Sequence, residues 1–306
     1  MQARAAALAA LAVVAAVGLV AMYWLFVRTR WGQRADDASR RAREVVPDDL
    51  VSDAWTLIDT ISVASLALVT GIIVMVAVLR GRPRLALNVG ASVLIANVVT
   101  QLLKRSLLSR PDIIGAGDHN SYPSGHSTVA MSVLIALVLV VPQRWRSVVG
   151  VVGLAYPIGI GIGVVTAGAH RPSDVLGAWV VCLAVFAMAM AVLIAGSGFG
   201  VGGRRWAPTT EAAALALVVV AGTLLATGII GLQRAATWVE TGTLTNSDEA
   251  VIVLAASAAI TAGAIATVVS LLLALRGVSL DPPGGESARA VDPHRGRVEP
   301  WVQSSV

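Results

Sequence analysis

Cysteine is nearly absent. The chain has one, Cys182, so no internal disulfide can form. Charge is scarce too: Asp, Glu, Lys and Arg make up 13% of the residues, about half of the roughly 25% usual in soluble domains. Aromatic residues contribute only 5%, so the apolar 56% of the chain is carried by Ala, Val and Leu, accompanied by 29 Gly. Such small residues let helices approach closely in lipid. Lysine occurs once, as Lys104, which makes the net charge of +5 almost wholly an arginine charge. These shortages exclude a disulfide-stapled scaffold and a charge-coated soluble domain. A mean hydropathy of +0.78 points instead to a polytopic membrane protein. In that setting a basic excess marks loops and lipid headgroup contact, not nucleic acid. Cys182 lies in an apolar run and reads as a small packing residue.

A spanning helix needs about 20 mostly apolar residues. Eight segments meet or approach that length: Ala5–Val27, Trp55–Leu79, Leu85–Leu103, Ser127–Val141, Val148–Ala167, Val175–Ala195, Ala212–Ile230 and Ala250–Leu275. The fourth is short, and the Pro-Ser-Gly-His ahead of it can supply its first turn. The first runs on into Met22-Tyr23-Trp24-Leu25-Phe26 without a small-residue cleavage site, so it reads as a retained anchor and not a secretory signal. Between the first two spans, Arg28–Asp53 mixes Arg40, Arg41 and Arg43 with Asp36, Asp37, Asp48 and Asp49. That composition suits either a short amphipathic surface helix or a solvated loop. The tail from Gly277 has the composition of a disordered segment. With the amino terminus inside, Arg80, Arg82, Arg84, Arg144, Arg146, Arg204 and Arg205 fall on short cytoplasmic loops with few acids, as the positive-inside rule requires.

Three polar blocks interrupt this apolar background: Lys104 to Asp112 with Arg110-Pro111, then Tyr122-Pro123-Ser124-Gly125-His126-Ser127, then His170-Arg171-Pro172-Ser173-Asp174. All three join spans at one membrane face, where charged groups are costly unless they serve a purpose. Lys and Arg suit phosphate oxygens. Ser124 and Gly125 precede a helix, so backbone N–H groups and the helix dipole can meet an anion there. His126 is placed to protonate a leaving oxygen. His170 and Asp174 are four apart and meet if a helix begins near Pro172; a carboxylate on one imidazole nitrogen leaves the other free to attack phosphorus. This chemistry needs no metal and no cofactor.

The order of these blocks resembles the type 2 phosphatidic acid phosphatase family, which includes bacterial lipid pyrophosphate phosphatases and shares its site with vanadium haloperoxidases. The resemblance covers about Leu85–Ala195. It implies an all-α transmembrane bundle with a six-helix phosphatase core at 1–195, two further helices at 196–275 and a tail at 276–306. It also implies that His170 is the nucleophile, Asp174 its activator and His126 the acid, with Lys104, Arg110, Ser124 and Gly125 holding phosphate. Two departures stand out. Five residues separate Lys104 from Arg110 where the family usually has six, and Gly163-Val164 occupies the place of the family's Ser-Arg. Arg171 or Arg105 is then the candidate to replace the lost arginine.

Each of these residues also has a plainer reading. Lys104 and Arg105 can be interfacial anchors that snorkel; His126 can be an ordinary first-turn residue, and His170 with Asp174 a structural pair. Asn97, Gln101 and Lys104 share a helical stripe that suits either a path to the site or polar bonding between helices. His119 and Asp112 suit loop solvation. Together the readings give the expectation of a multi-pass cell-membrane phosphatase acting on a lipid phosphate or pyrophosphate at the extracytoplasmic face. The alternatives are a lipid phosphotransferase using the same site and a non-catalytic lipid-binding or transport protein. Oligomeric state is not legible.

Overall fold

The computed structural model of the chain describes residues 2–41, 46–115, 119–197, parts of 220–237, 246–276, 278 and 280. Among these residues all regular structure is helical. Helix α1 (Gln2–Met22) continues through a wider turn at Tyr23–Val27; α2 is Arg30–Arg41, α3 Asp48–Ile58 and α4 Val63–Leu79. Then come α5 (Pro83–Leu102, continued by a wide turn at Leu103–Leu107), α6 (Gly125–Val140), α7 (Arg146–Gly153), α8 (Ala155–Thr166), α9 (Pro172–Ser197) and α10 (Asn246–Ala274). Five stretches are long and apolar enough to cross a membrane: Gln2–Val27, Pro83–Leu107, Gln143–Thr166, Pro172–Gly196 and Asp248–Ala274. The chain is an all-α, multi-pass bundle. At 16 residues α6 is shorter; at about 1.5 Å per residue it reaches roughly 24 Å.

The sequence reading needs one correction. Trp55–Leu79 is not one straight span: α3 and α4 are bent by 55° at a break between them. The cause is local. Ser62 Oγ accepts from the Ser65 amide at 3.0 Å, and Ser65 Oγ accepts from the Ser62 amide at 2.8 Å, a reciprocal cap that starts a new helix. Thr60 adds a hydroxyl bond back to the Leu57 carbonyl at 2.7 Å. Apart from Arg276, Val278 and Leu280, the expected tail lies outside the described residues, as does most of Ala212–Ile230.

The segment after α1 resolves the choice between surface helix and loop. It forms α2, but its polar side faces the protein: Gln33, Asp36, Asp37 and Ser39 are buried, while Arg30 and Trp31 are exposed. Thr29 caps it by accepting from the Gly32 amide at 3.0 Å. Any side chain at Gly32 would strike the Leu25–Phe26 backbone, so glycine permits the sharp return from α1.

Helix α9 is the centre of the bundle, contacted by α1, α5, α6 and α10. Val175, Ala178, Trp179, Cys182, Phe186 and Met190 are all buried along it. Because lipid tails are as apolar as these side chains, close packing supplies the cohesion. A Cβ at Gly161 on α8 would lie 2.9 Å from Val175 Cγ1 and 3.0 Å from Trp179, and Gly163 packs on Ala54 of α3. Cys182 is fully buried, with Sγ 3.5 Å from the Thr128 carbonyl.

A close fit lies near the polar end, where a Cβ on Gly177 would come within 2.5 Å of the Tyr122 ring. Gly177→Ala should cost about 1–3 kcal/mol through overpacking, read as a lower melting temperature in detergent. Gly196→Ala has nothing within 4 Å of the new methyl and should leave the melting temperature unchanged.

Candidate active site

The three polar blocks converge at one end of the bundle, fastened by loop contacts. Tyr23 donates to the Ser109 carbonyl at 2.7 Å. The turn Leu103–Leu107 ends a helix and leaves carbonyls exposed; Asn120 Nδ2 bonds those of Lys104 and Leu108, each at 3.0 Å. The second block is tied to the third by the Ser124 amide, which donates to the Asp174 carbonyl at 2.9 Å. Tyr122 is fully buried and donates to the Leu19 carbonyl at 3.1 Å. Burial and the charges of Asp174 and Asp36 raise its pKa, so the phenol stays neutral.

Proline at the first position of α9 suits a helix start, and Asp174 follows in its first turn. Three donors meet on Asp174 Oδ2: Ser121 Oγ at 2.6 Å, the Arg171 amide at 3.0 Å and His170 Nδ1 at 3.2 Å. Asp174 is 0% exposed and its Oδ1 has no partner. With Nδ1 turned to the carboxylate, Nε2 is the ring nitrogen left for chemistry. The backbone holds the residue from the other side, the His170 amide donating to the Val164 carbonyl at 3.0 Å. The His126 ring stands edge-on to His170, with centroids 6.4 Å apart and planes at 69°.

Both histidines line a cavity of about 800 Å³. Its polar wall is formed by Lys104, Arg105, Gly125, His126 and His170, its apolar wall by residues including Leu66, Val98, Leu102 and Val129. Gln101 and Asn97 carry the Lys104 stripe along the same cavity. Asn97 also donates to the Val93 carbonyl at 2.8 Å and to Ser132 Oγ at 3.4 Å, so the stripe both lines the cavity and bonds helices. Ser62 and Val63, at the break before α4, complete the rim. A Cβ on Gly125 would sit 3.1 Å from Gln101 Nε2, so a side chain there would crowd the opening of α6. The first amides of a helix have no partner within it, which gives an anion near Gly125 and His126 two donors and the positive end of the helix dipole.

The other residues singled out from the sequence stand behind this wall. Ser124 is fully buried and caps α6, its Oγ accepting from the Ser127 hydroxyl at 3.0 Å and amide at 3.4 Å. The Arg110 side chain is 3% exposed, pairs with Asp36 Oδ2 at 2.9 Å, and leaves its other terminal nitrogen without a partner. Arg171 donates to Ser121 Oγ at 3.1 Å. The two arginines share a small recess with Gln33, Asp37, Pro111 and Asp112. Val164, at the place of the family's arginine, is fully buried, and His119 is exposed. The structure thus gathers Lys104, Gly125, His126 and His170, with Asp174 behind His170, and sets Ser124, Arg110 and Arg171 outside the cavity wall.

Two residues of this cluster escaped the sequence reading. Ser121 stands just ahead of the second block, in a polar run where nothing separates it from ordinary loop serine. Asp36 lies 137 residues from Ser173, whose hydroxyl it accepts at 2.6 Å, and no local pattern links them. Burial pushes the Asp36 carboxyl up to about 6, against the pull of Arg110.

The sequence profile of the PAP2 superfamily matches residues 60–196, which hold α4 to α9 and all three polar blocks. No curated protein and no solved structure matches the chain. Residues 60–196 are thus similar to the PAP2 superfamily, whose members are phosphatases.

Proposed function

We propose that the protein hydrolyses a phosphate or pyrophosphate ester of a membrane lipid through a phosphohistidine at His170. The observation that carries this reading is the pairing of His170 with Asp174 at the polar end of a cavity that also has an apolar wall. Val98 and Leu102 line that cavity and are 46% and 48% exposed. A lipid tail can therefore stay in the bilayer while its phosphate reaches the histidines. Isoprenyl pyrophosphate, phosphatidate and phosphatidylglycerophosphate are all consistent with this reading.

In the first step Lys104 and the opening amides of α6 hold the phosphoryl oxygens. Nε2 of His170 attacks phosphorus as the bond to the lipid oxygen breaks, and His126 gives that oxygen its proton. Asp174 steadies the positive charge that develops on His170. In the second step water attacks the phosphohistidine, neutral His126 takes the water proton, and the P–N bond breaks to release phosphate. The charge on the transferring group is spread over its oxygens, so fixed donors are the largest source of rate.

Support for an extracytoplasmic site comes from the short loops at the other end, which carry arginines and few acids. Arg80, Arg82, Arg84, Arg144 and Arg146 lie at helix ends opposite those that carry His126 and His170. Arg82 and Arg146 turn inward there, bonding the carbonyls of Val140 at 3.3 Å and Val278 at 3.5 Å.

Two measurements test the proposal. Purified protein and its His170→Ala variant are compared for phosphate release from a panel of lipid phosphates, with and without alcohol acceptors. Release should fall to background in the variant, and His126→Ala should lose about 10²–10⁴-fold; equal release by wild type and His170→Ala would contradict the nucleophile. Sidedness is read by an impermeant maleimide on intact cells, in a Cys182→Ala background. His119→Cys should be labelled directly, and Arg144→Cys only after permeabilisation.

A further inference from the structure

We infer that Asp36 is a positioning residue of the phosphatase site, supplied by a helix outside the residues that match the superfamily profile. Its carboxylate joins two parts of the site that are otherwise separate. Oδ2 accepts from Arg110 at 2.9 Å and from the Ser173 hydroxyl at 2.6 Å, and Oδ1 accepts from the Ser173 amide at 3.3 Å. One side of the carboxylate therefore holds the loop after α5. The other side holds the first turn of α9, where Asp174 is the next residue along.

The same face of α2 repeats the connection one turn earlier. Gln33 Nε2 donates to the Pro111 carbonyl at 2.6 Å and to the Val27 carbonyl at 2.8 Å, and Gln33 Oε1 accepts from the Ile113 amide at 3.2 Å. Positions 33 and 36 are three apart and so lie on one helix face. Helix α2 is thus a clamp across the polar end of the bundle, with Gln33 fixing the loop and Asp36 fixing the loop to α9.

A buried carboxylate is tolerated only where ion pairing and hydrogen bonds replace water. Asp36 is 1% exposed and has both. Removing its charge would take from Arg110 its ion-pair partner at 2.9 Å and free the start of α9 from the loop. A shift of even 1 Å in a catalytic group can cost about 10²-fold in rate. Asp36 does not line the cavity that holds His126 and His170, so its effect reaches the chemistry through Ser173 and Asp174. This inference rests on the reading of His170 and Asp174 as the catalytic pair.

The charged groups that face Asp36 are Arg110 from the loop after α5, and Arg171 and Asp174 from the start of α9. Its carboxyl titrates at about 6. Above that pH the carboxylate holds Arg110 as an ion pair, and below it the pair is lost. The pH profile therefore reports on this residue in a way that a purely structural role would not.

The experiment uses the full-length protein in detergent, with dioleoyl phosphatidate and farnesyl pyrophosphate as probes, and measures kcat, KM and melting temperature. Asp36→Asn should lower kcat at pH 7.5 by about tenfold or more, with KM within about threefold because the substrate contacts remain. Asp36→Glu should recover part of the loss. Ser173→Ala should lower kcat less, and the double variant should be no slower than Asp36→Asn, since both break one link. The ratio of wild-type to Asp36→Asn activity should narrow as pH falls through about 6. Wild-type kcat in Asp36→Asn, a change in KM alone, losses that multiply in the double variant, or a ratio independent of pH would each overturn the inference. If Asp36→Asn does not fold, Ser173→Ala decides, and an unchanged kcat overturns it. Absence of phosphate release by the wild type itself would count against the phosphatase reading instead.

Discussion

Asp174 has no contact with solvent, and a buried carboxylate persists only where donors replace the water it has lost. The donors come from Ser121, from the backbone at Arg171 and from His170, and all three reach the same oxygen. Satisfying that one charge forces the loop before α6 against the start of α9. The Ser124 amide bonded to the Asp174 carbonyl closes the same seam from the backbone side. His170 then has one nitrogen committed, and its ring can turn only one edge toward the cavity. Orientation of His170, the proposed nucleophile, is a consequence of charge burial, and the rest of the site is arranged around it.

The lipid environment explains why this end of the bundle is so heavily bonded. In the membrane interior the helices gain little from apolar contact with one another, because lipid is an equally good solvent for them. They pack instead through small residues, as where Gly161 admits Trp179 and Gly163 meets Ala54. Polar groups at the site end have no such latitude and must be paired in place. The same requirement turns α2 around. A mixed-charge segment that would suit the membrane surface directs Gln33, Asp36 and Asp37 inward, because the loop after α5 and the start of α9 present donors and backbone groups there.

Hydropathy made most of the fold legible, since a run of about 20 apolar residues in lipid has few alternatives to a helix. The spacing of His170 and Asp174 around Pro172 conveyed the local pair for an equally direct reason: a helix that starts at proline brings residues four apart together. The break between α3 and α4 was hidden because Ser62 and Ser65 look like unremarkable polar residues in an apolar run until their reciprocal cap is seen. Arg110 and Ser124 were read as phosphate ligands from their motif positions. Their neighbours direct one to Asp36 and the other to capping α6. Asp36 itself was beyond reach, because its partners are set by the tertiary path of a helix far away in sequence. The shortened interval between Lys104 and Arg110 acquires a physical sense in this light, with Lys104 in the cavity wall and Arg110 drawn behind it.

The central claim is that phosphate passes through a covalent bond to His170. Rapid-quench labelling with a ³²P lipid phosphate tests it directly, because a phosphohistidine survives base and is lost in acid. Within the first turnover the account predicts base-stable, acid-labile label on purified protein, carried by the peptide that contains His170 and chased by unlabelled substrate. Turnover with no such label, or label on a peptide containing His126 instead, would contradict it.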